Sequence, residues 1–341
     1  METSSNLQPA SLADRLKLIG KFAVVILVFW YLNHKGLLTA EMFSNLARYP
    51  AIIAICSFLI ILNTVLGSLR WHVLLKTQGT ELSFYRVLKL NLVGCFFNIA
   101  LPGAVSGDFF KAFYAAKYFP EKRAAVVGSI VFDRVLGLSA LVFVAALSAL
   151  VSSFIPWGGA LPHSLLYSIE FCGFIFASFF VYLFLSHERD PLFSFLKFFT
   201  KRSQKLVPIE RLYEGVMSYR SHPKRVLKAI ALSVAIHVML ILLVFFLSEA
   251  LSPQSLPLMG LAVIVPIGML ATSIPVLPAG VGTGHAAFYA LFKLIGSDQG
   301  AQVFSLYVIF QLLVGMIGGL VYLRVSHEKT EPAAKFNQSL S

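Results

Sequence analysis

The stretch Phe96–Ala115, FFNIALPGAVSGDFFKAFYA, decides how the rest of the chain is read. An apolar segment runs into it and is interrupted by Asn98, Pro102, Gly103 and Gly107. Proline removes a backbone donor and glycine loosens the chain, so a helix arriving here breaks. Ser106 and Asp108 are suited to cap a new helix, whose next residues, FFKAFYAAKYF, carry an apolar face together with Lys111 and Lys117. Broken ends leave N–H and C=O groups that hydrocarbon cannot satisfy. A membrane tolerates them only where they are buried in protein or line a polar cavity, which marks the stretch as a candidate binding site.

The surroundings are those of a membrane. The 341 residues are 57% hydrophobic and 13% charged, with a mean hydropathy of +0.79. A soluble domain carries about a quarter charged residues, so an all-α polytopic membrane protein is expected. The net charge of +12 gathers in short segments between apolar runs. It reads as the positive-inside signal and as contact with anionic lipid heads, and nucleic acid is not expected as a partner. Cys56, Cys95 and Cys172 lie in apolar stretches without paired spacing, so neither a disulfide nor a metal is expected, and no cofactor motif is present. The polar N-terminus, METSSNLQPASLADR, lacks the pattern of a cleaved signal.

Working outward, Val87–Ala104 and Gly107–Tyr118 are flanked on both sides by Lys and Arg, so the charge rule folds them into a re-entrant hairpin. About six full spans are expected, at Leu18–Leu32, Ala51–Ser68, Ala124–Phe154, Leu165–Leu185, Val226–Leu247 and Ala301–Leu323. Arg70, Trp71 and Lys76 read as part of a cytoplasmic loop. Residues 17–325 form one transmembrane domain between cytoplasmic tails, 1–16 and 326–341. The basic segment 187–225 contains PLFSFLKFF, whose mixture of Phe, Leu and cations predicts a helix lying on the inner leaflet.

A second broken segment follows. LPAGVGTGHAAFYA, from Leu277, resembles LPGAVSGDFFKAFYA, from Leu101. Each is preceded and followed by a full span, giving repeat one at about 51–154 and repeat two at about 226–323. By the loop charges the two hairpins enter from opposite sides, an inverted pair of the kind that holds a transport site inside the membrane.

Asp133 and Arg134 sit inside an apolar span, GSIVFDRVLGLSALVFVAAL. Ionisable residues there need a partner or a polar cavity. Either they pair with Lys111 and Asp108 and fix the hairpin, or Arg134 and Lys111 face a phosphate together with the N-terminus of the Gly107 helix. Asn98 either caps loose backbone or binds a ligand, and His285 either caps the second restarted helix or titrates. Pro278, Gly280 and Gly282 form the second break, and Gln311 stands near the repeat-two counterpart of Arg134. No catalytic signature of the G-x-S-x-G, H-E-x-x-H or P-loop kind is present, so no enzymatic activity is expected.

FFNIALPGAVSGDFFKAF, SIVFDRVLG and SIPVLPAGVGTGHAAFYALF, in this order, resemble the lysylphosphatidylglycerol synthase transmembrane-domain family, also called flippase-like. That family often has Glu where His285 stands and Arg where Gln311 stands. In its lysyltransferase members the membrane domain precedes an aminoacyltransferase domain. No such segment follows the last span here, so that activity is not implied. The resemblance and the inverted breaks together imply a lipid translocase or lipid-binding transporter for an anionic phospholipid or polyprenyl-linked lipid. The alternative is a non-transporting scaffold for a separate lipid-modifying or glycosyl-transferring enzyme.

Overall fold

The computed structural model describes residues 30, 33–34, 39–101, 106–152, 154, 161–185, 190–202, 207–251, 255–273 and 280–325. Its helices are α1 (Ala40–Ala47), α2 (Pro50–Thr77), α3 (Phe84–Ala100), α4 (Ser106–Tyr118), α5 (Arg123–Ser152) and α6 (His163–Leu185). They continue as α7 (Pro191–Arg202), α8 (Val207–Met217), α9 (Pro223–Leu251), α10 (Leu258–Thr272), α11 (Thr283–Lys293) and α12 (Gly300–Val325). Among the described residues five helices, α2, α5, α6, α9 and α12, are long and apolar enough to cross a bilayer. The sixth expected span, Leu18–Leu32, falls almost wholly outside the described residues.

One boundary differs from the sequence expectation. The apolar pattern of α2 continues past Ser68 through Trp71, Leu74 and Leu75, all fully buried, so the helix runs on to Thr77. Arg70 is therefore inside a helix and not in a loop. The reason is a carboxylate waiting on a neighbouring helix, which lets a guanidinium be buried where composition alone argues against it.

Of the seven described helices too short to cross, four make up the two broken segments. α3, α4, α10 and α11 have 17, 13, 15 and 11 residues. At 1.5 Å per residue they reach about 25, 20, 22 and 16 Å, against roughly 30 Å of hydrocarbon. They pair into two hairpins, α3 with α4 and α10 with α11. In the first, Asn98 Oδ1 accepts the Gly107 N–H at 2.8 Å and Ser106 Oγ donates to the Phe97 carbonyl at 2.9 Å, so side chains satisfy backbone groups at both broken ends. Gly107 lies directly against the Gly94 backbone, a closeness that leaves no room for a Cβ. In the second hairpin Gly280 and Gly282 adopt φ of 70° and 88°, a left-handed turn that other residues resist. His285 Nδ1 accepts the Gly282 N–H at 3.3 Å and so caps α11.

The two halves follow the same order of elements, a span, a hairpin and a span, and meet in opposite directions. α2 and α9, the first span of each repeat, run antiparallel: Cys56 meets the Leu243 carbonyl, Asn63 donates to the Ile236 carbonyl at 3.0 Å, and Arg70 donates to Ser233 at 2.9 Å. The first helix of each hairpin leans on the last span of the other half, α3 on α12 and α10 on α5. Ile99 approaches Gly315 while Leu92 approaches Gly318, so α3 and α12 are also antiparallel. The main apolar core lies where α2, α9, α10, α11 and α12 converge.

The basic segment is more integrated than a surface helix. Asp190 Oδ1 caps α7 by accepting the Phe193 N–H at 2.9 Å, and the carboxylate also accepts from Tyr213 at 2.8 Å and from Tyr182. Burial, reinforced by the hydrogen bonds to Tyr182 and Asp190, pushes the Tyr213 phenol up, so it remains a donor at physiological pH. α8 is keyed beneath α5, where Gly215 faces Gly128 and Gln78 donates to the Gly215 carbonyl at 2.6 Å. Tyr219 is fully buried, stacked on Phe132. α7 presents an open apolar face, with Leu192, Phe195, Phe198 and Phe199 exposed.

The glycine contact gives a direct check. Gly107→Ala forces α3 and α4 apart and is expected to lower stability by about 1–3 kcal/mol, the usual cost of overpacking. Gly173→Ala, whose added methyl meets only Val142 at 3.9 Å, is expected to change it by less than about 0.5 kcal/mol. Thermal unfolding of both variants in detergent is the measurement.

Candidate functional site

Two charge clusters occupy the interior, side by side on α5. The inner one is built on Asp133. Its carboxylate receives both Nε and Nη2 of Arg70, at 2.7 and 3.0 Å, and Arg70 Nη1 reaches Ser233 on α9. Both charged side chains are nearly inaccessible. This pair joins α2, α5 and α9, and close by His237 Nε2 donates to the Gly137 carbonyl at 3.0 Å. The partnership of Asp133 with Lys111, one of the two alternatives open from sequence, is thus replaced by one with Arg70. Consecutive positions on a helix point about 100° apart, so Asp133 turns inward while Arg134 turns outward.

The outer cluster is built on Asp108, in the first turn of α4. Lys111 Nζ stands 3.2 Å from its Oδ1, and Arg134 Nε bonds its Oδ2. The three differ in surroundings. Asp108 and Lys111 are buried, with Lys111 Nζ also 4.8 Å from the centre of the Trp71 ring, whereas the Arg134 side chain is 48% accessible. Trp71 is fixed in turn by its indole N–H donating to Ser129 at 3.1 Å.

What Arg134 faces is a groove of about 980 Å³ between α4 and α5. Its walls are mostly apolar, with Phe109, Phe113, Val127 and Val131 among them. Asp108 and Arg134 line it inside the protein, and Ser273, at the end of α10, contributes from the other half. Lys117 and Arg123 line it where α4 hands over to α5. Lys111 and Asp133 are not among its lining residues.

Residues 18–321 match the family described as lysylphosphatidylglycerol synthase TM region. The chain belongs to this family. Comparison with curated proteins and with solved structures returns no match. Membership of the lysylphosphatidylglycerol synthase TM region family makes this a multi-pass membrane protein tied to lipid handling.

The structure sorts the residues singled out from sequence. Asp108 and Arg134 meet at the groove, with Lys111 directly behind them. Asn98 and Gly107 serve the hairpin itself, one as cap and one as crossing point. In the second half His285 is buried and uses both ring nitrogens, the second one donating to Ser305, whose own hydroxyl donates to the Ala301 carbonyl. Gln311 donates to Tyr307 at 2.6 Å. Gly280 and Gly282 shape the turn ahead of α11. These second-half residues do not join the groove. Pro102, Gly103 and Pro278 lie outside the described residues. Arg70, Trp71 and Ser273 were not anticipated. The signal for Arg70 was the helical spacing of Ser68, Trp71 and Leu75 around it.

The two clusters respond differently to mutation. Arg70→Gln strands a buried Asp133 carboxylate and is expected to lower stability by about 3–5 kcal/mol. Arg134→Gln leaves Asp108 still facing Lys111 and is expected to cost clearly less. Unfolding of both in detergent compares them, and equal losses would contradict the division of labour between the clusters.

Proposed function

We propose that this protein binds an anionic lipid in the α4–α5 groove, with the lipid phosphate at Arg134, and moves it between leaflets. One observation carries this reading. Arg134 is permanently charged and sits well inside a membrane-spanning helix, yet its side chain opens to an apolar groove and is not sealed in protein. Asp108 holds the guanidinium in place through Nε, and phosphate is the group that a planar guanidinium grips best. The first turn of α4 beside it adds a helix N-terminus, which favours an anion. The inverted hairpins supply the usual framework for such a site, since short helices ending inside the bilayer let polar groups meet there.

The reading invokes binding and movement, not chemical change of the lipid. Lys and Arg concentrate at the α2–α3, α4–α5 and α6–α9 connections, which by the charge rule supports a cytoplasmic location for that side and for both chain termini. The alternative of a scaffold without transport is separated by the same assay that tests transport.

The test is leaflet exchange of fluorescent phosphatidylglycerol in phosphatidylcholine vesicles containing the purified protein. Exchange above that of empty vesicles is expected. Arg134→Gln should reduce it about ten- to a hundred-fold, the scale of one charged hydrogen-bonded contact, and Arg134→Lys should restore only part. Loss of thermal stability with unchanged exchange per folded molecule would refute the phosphate role.

A further inference from the structure

Along α5 the groove wall is a single helix face. Arg123, Val127, Val131, Arg134 and Leu138 all line it, at steps of four, four, three and four residues. Eleven residues separate the two arginines, close to three full turns, so one stands above the other about 16 Å deeper. The stripe between them is apolar. Lys117 joins Arg123 at the shallow end from α4, its Nζ 4.4 Å from the centre of the Phe113 ring and 5.0 Å from that of Tyr114, so it lies along the groove wall. A third cation at this corner is committed elsewhere: Lys122 donates to the Gly79 carbonyl at 2.8 Å.

From this arrangement we infer that Lys117 and Arg123 form an entry station that receives the phosphate of a compact phosphodiester lipid before it passes to Arg134. The inference rests on the lipid reading of the groove given above and assigns two further residues to it. The electrostatics suit a transfer. The shallow station has two cations in a wet setting, where each interaction is weakened by solvent. The deep one has a single accessible cation, partly offset by Asp108, in drier surroundings where a charge counts for more. Neither holds the anion so much more strongly that it is trapped, the condition for passage along a line of sites. The groove volume of about 980 Å³ lies at the upper end of small-ligand sites. It accommodates one small headgroup and the upper part of its chains while Phe109, Phe113, Val127 and Val131 face the acyl region.

The experiment uses the full chain in phosphatidylcholine vesicles with a trace of N-acylated phosphatidylethanolamine. Its headgroup keeps one phosphodiester charge and carries a photoreactive diazirine. After illumination, cross-links are mapped on α5. Wild type is expected to label at both levels, near Val127 and near Val135. Arg134→Gln should lose the deep label and keep the shallow one. Lys117→Gln with Arg123→Gln should lower both, by roughly five-fold for each cation removed. A matched control removes Lys197 and Lys201 on α7, which do not line the groove. An equal fall there would show that only general surface charge matters and would overturn the entry station. Arg123→Lys, which keeps the charge, should retain most labelling and guards against misfolding of the double variant. Excess unlabelled phosphatidylglycerol should compete. Equal protection by inorganic phosphate would mean a site for a soluble anion and would also overturn the proposal. Absence of any groove label in wild type would remove the lipid reading itself, whereas deep labelling unaffected by the Lys117 and Arg123 changes would remove the relay alone.

Discussion

A guanidinium and a carboxylate, Arg70 and Asp133, are taken out of water at the junction of α2, α5 and α9, and much of the architecture follows from keeping them together. An unpaired charge at that depth is prohibitive, so the three helices that supply Arg70, Asp133 and Ser233 have one acceptable register. That register fixes the rotation of α5. With Asp133 directed inward, the neighbouring Arg134 is turned toward the groove. The position of the accessible cation is thereby set by a contact to which it does not itself belong.

The hairpins solve a different problem. Helices that stop inside hydrocarbon expose backbone groups, and each half satisfies them with local side chains: Asn98 and Ser106 in one, His285 in the other. The halves share topology but not chemistry. At the first hairpin Asp108, Lys111 and Arg134 cluster, and α4 leaves a groove against α5. Around the second, Gly284 receives the Phe304 ring and Gly300 lies against the backbone of Phe288, so α11 and α12 close on each other with neutral polar contacts between them.

Much of this was legible in the sequence because it depends on local signals. Proline and glycine within apolar runs announced both breaks, and the likeness of the two runs announced the repeat. Asp108 and Arg134 stood out as charges in apolar company, and they do meet. Arg70 as partner of Asp133 was not legible, since it depends on how α2 packs against α5, a contact between residues 63 positions apart. The length of α2 was misread for a related reason: Arg70 resembles a loop residue until its distant counter-charge is known. The groove was hidden too, because a gap between two helices leaves no mark in either. Its wall on α5 is an ordinary apolar face with an arginine at each end.

The antiparallel crossing of α2 and α9 joins the first span of one half to the first span of the other, and this gives it an unusual place in the life of the sequence. Residues elsewhere in a half, Asp108 and His285 among them, each answer to their own neighbours. At the crossing the two first spans are each other's neighbours. A substitution in either is met at once by both halves, so a change on one side of the crossing has to be accommodated on the other, whatever happens at the two breaks.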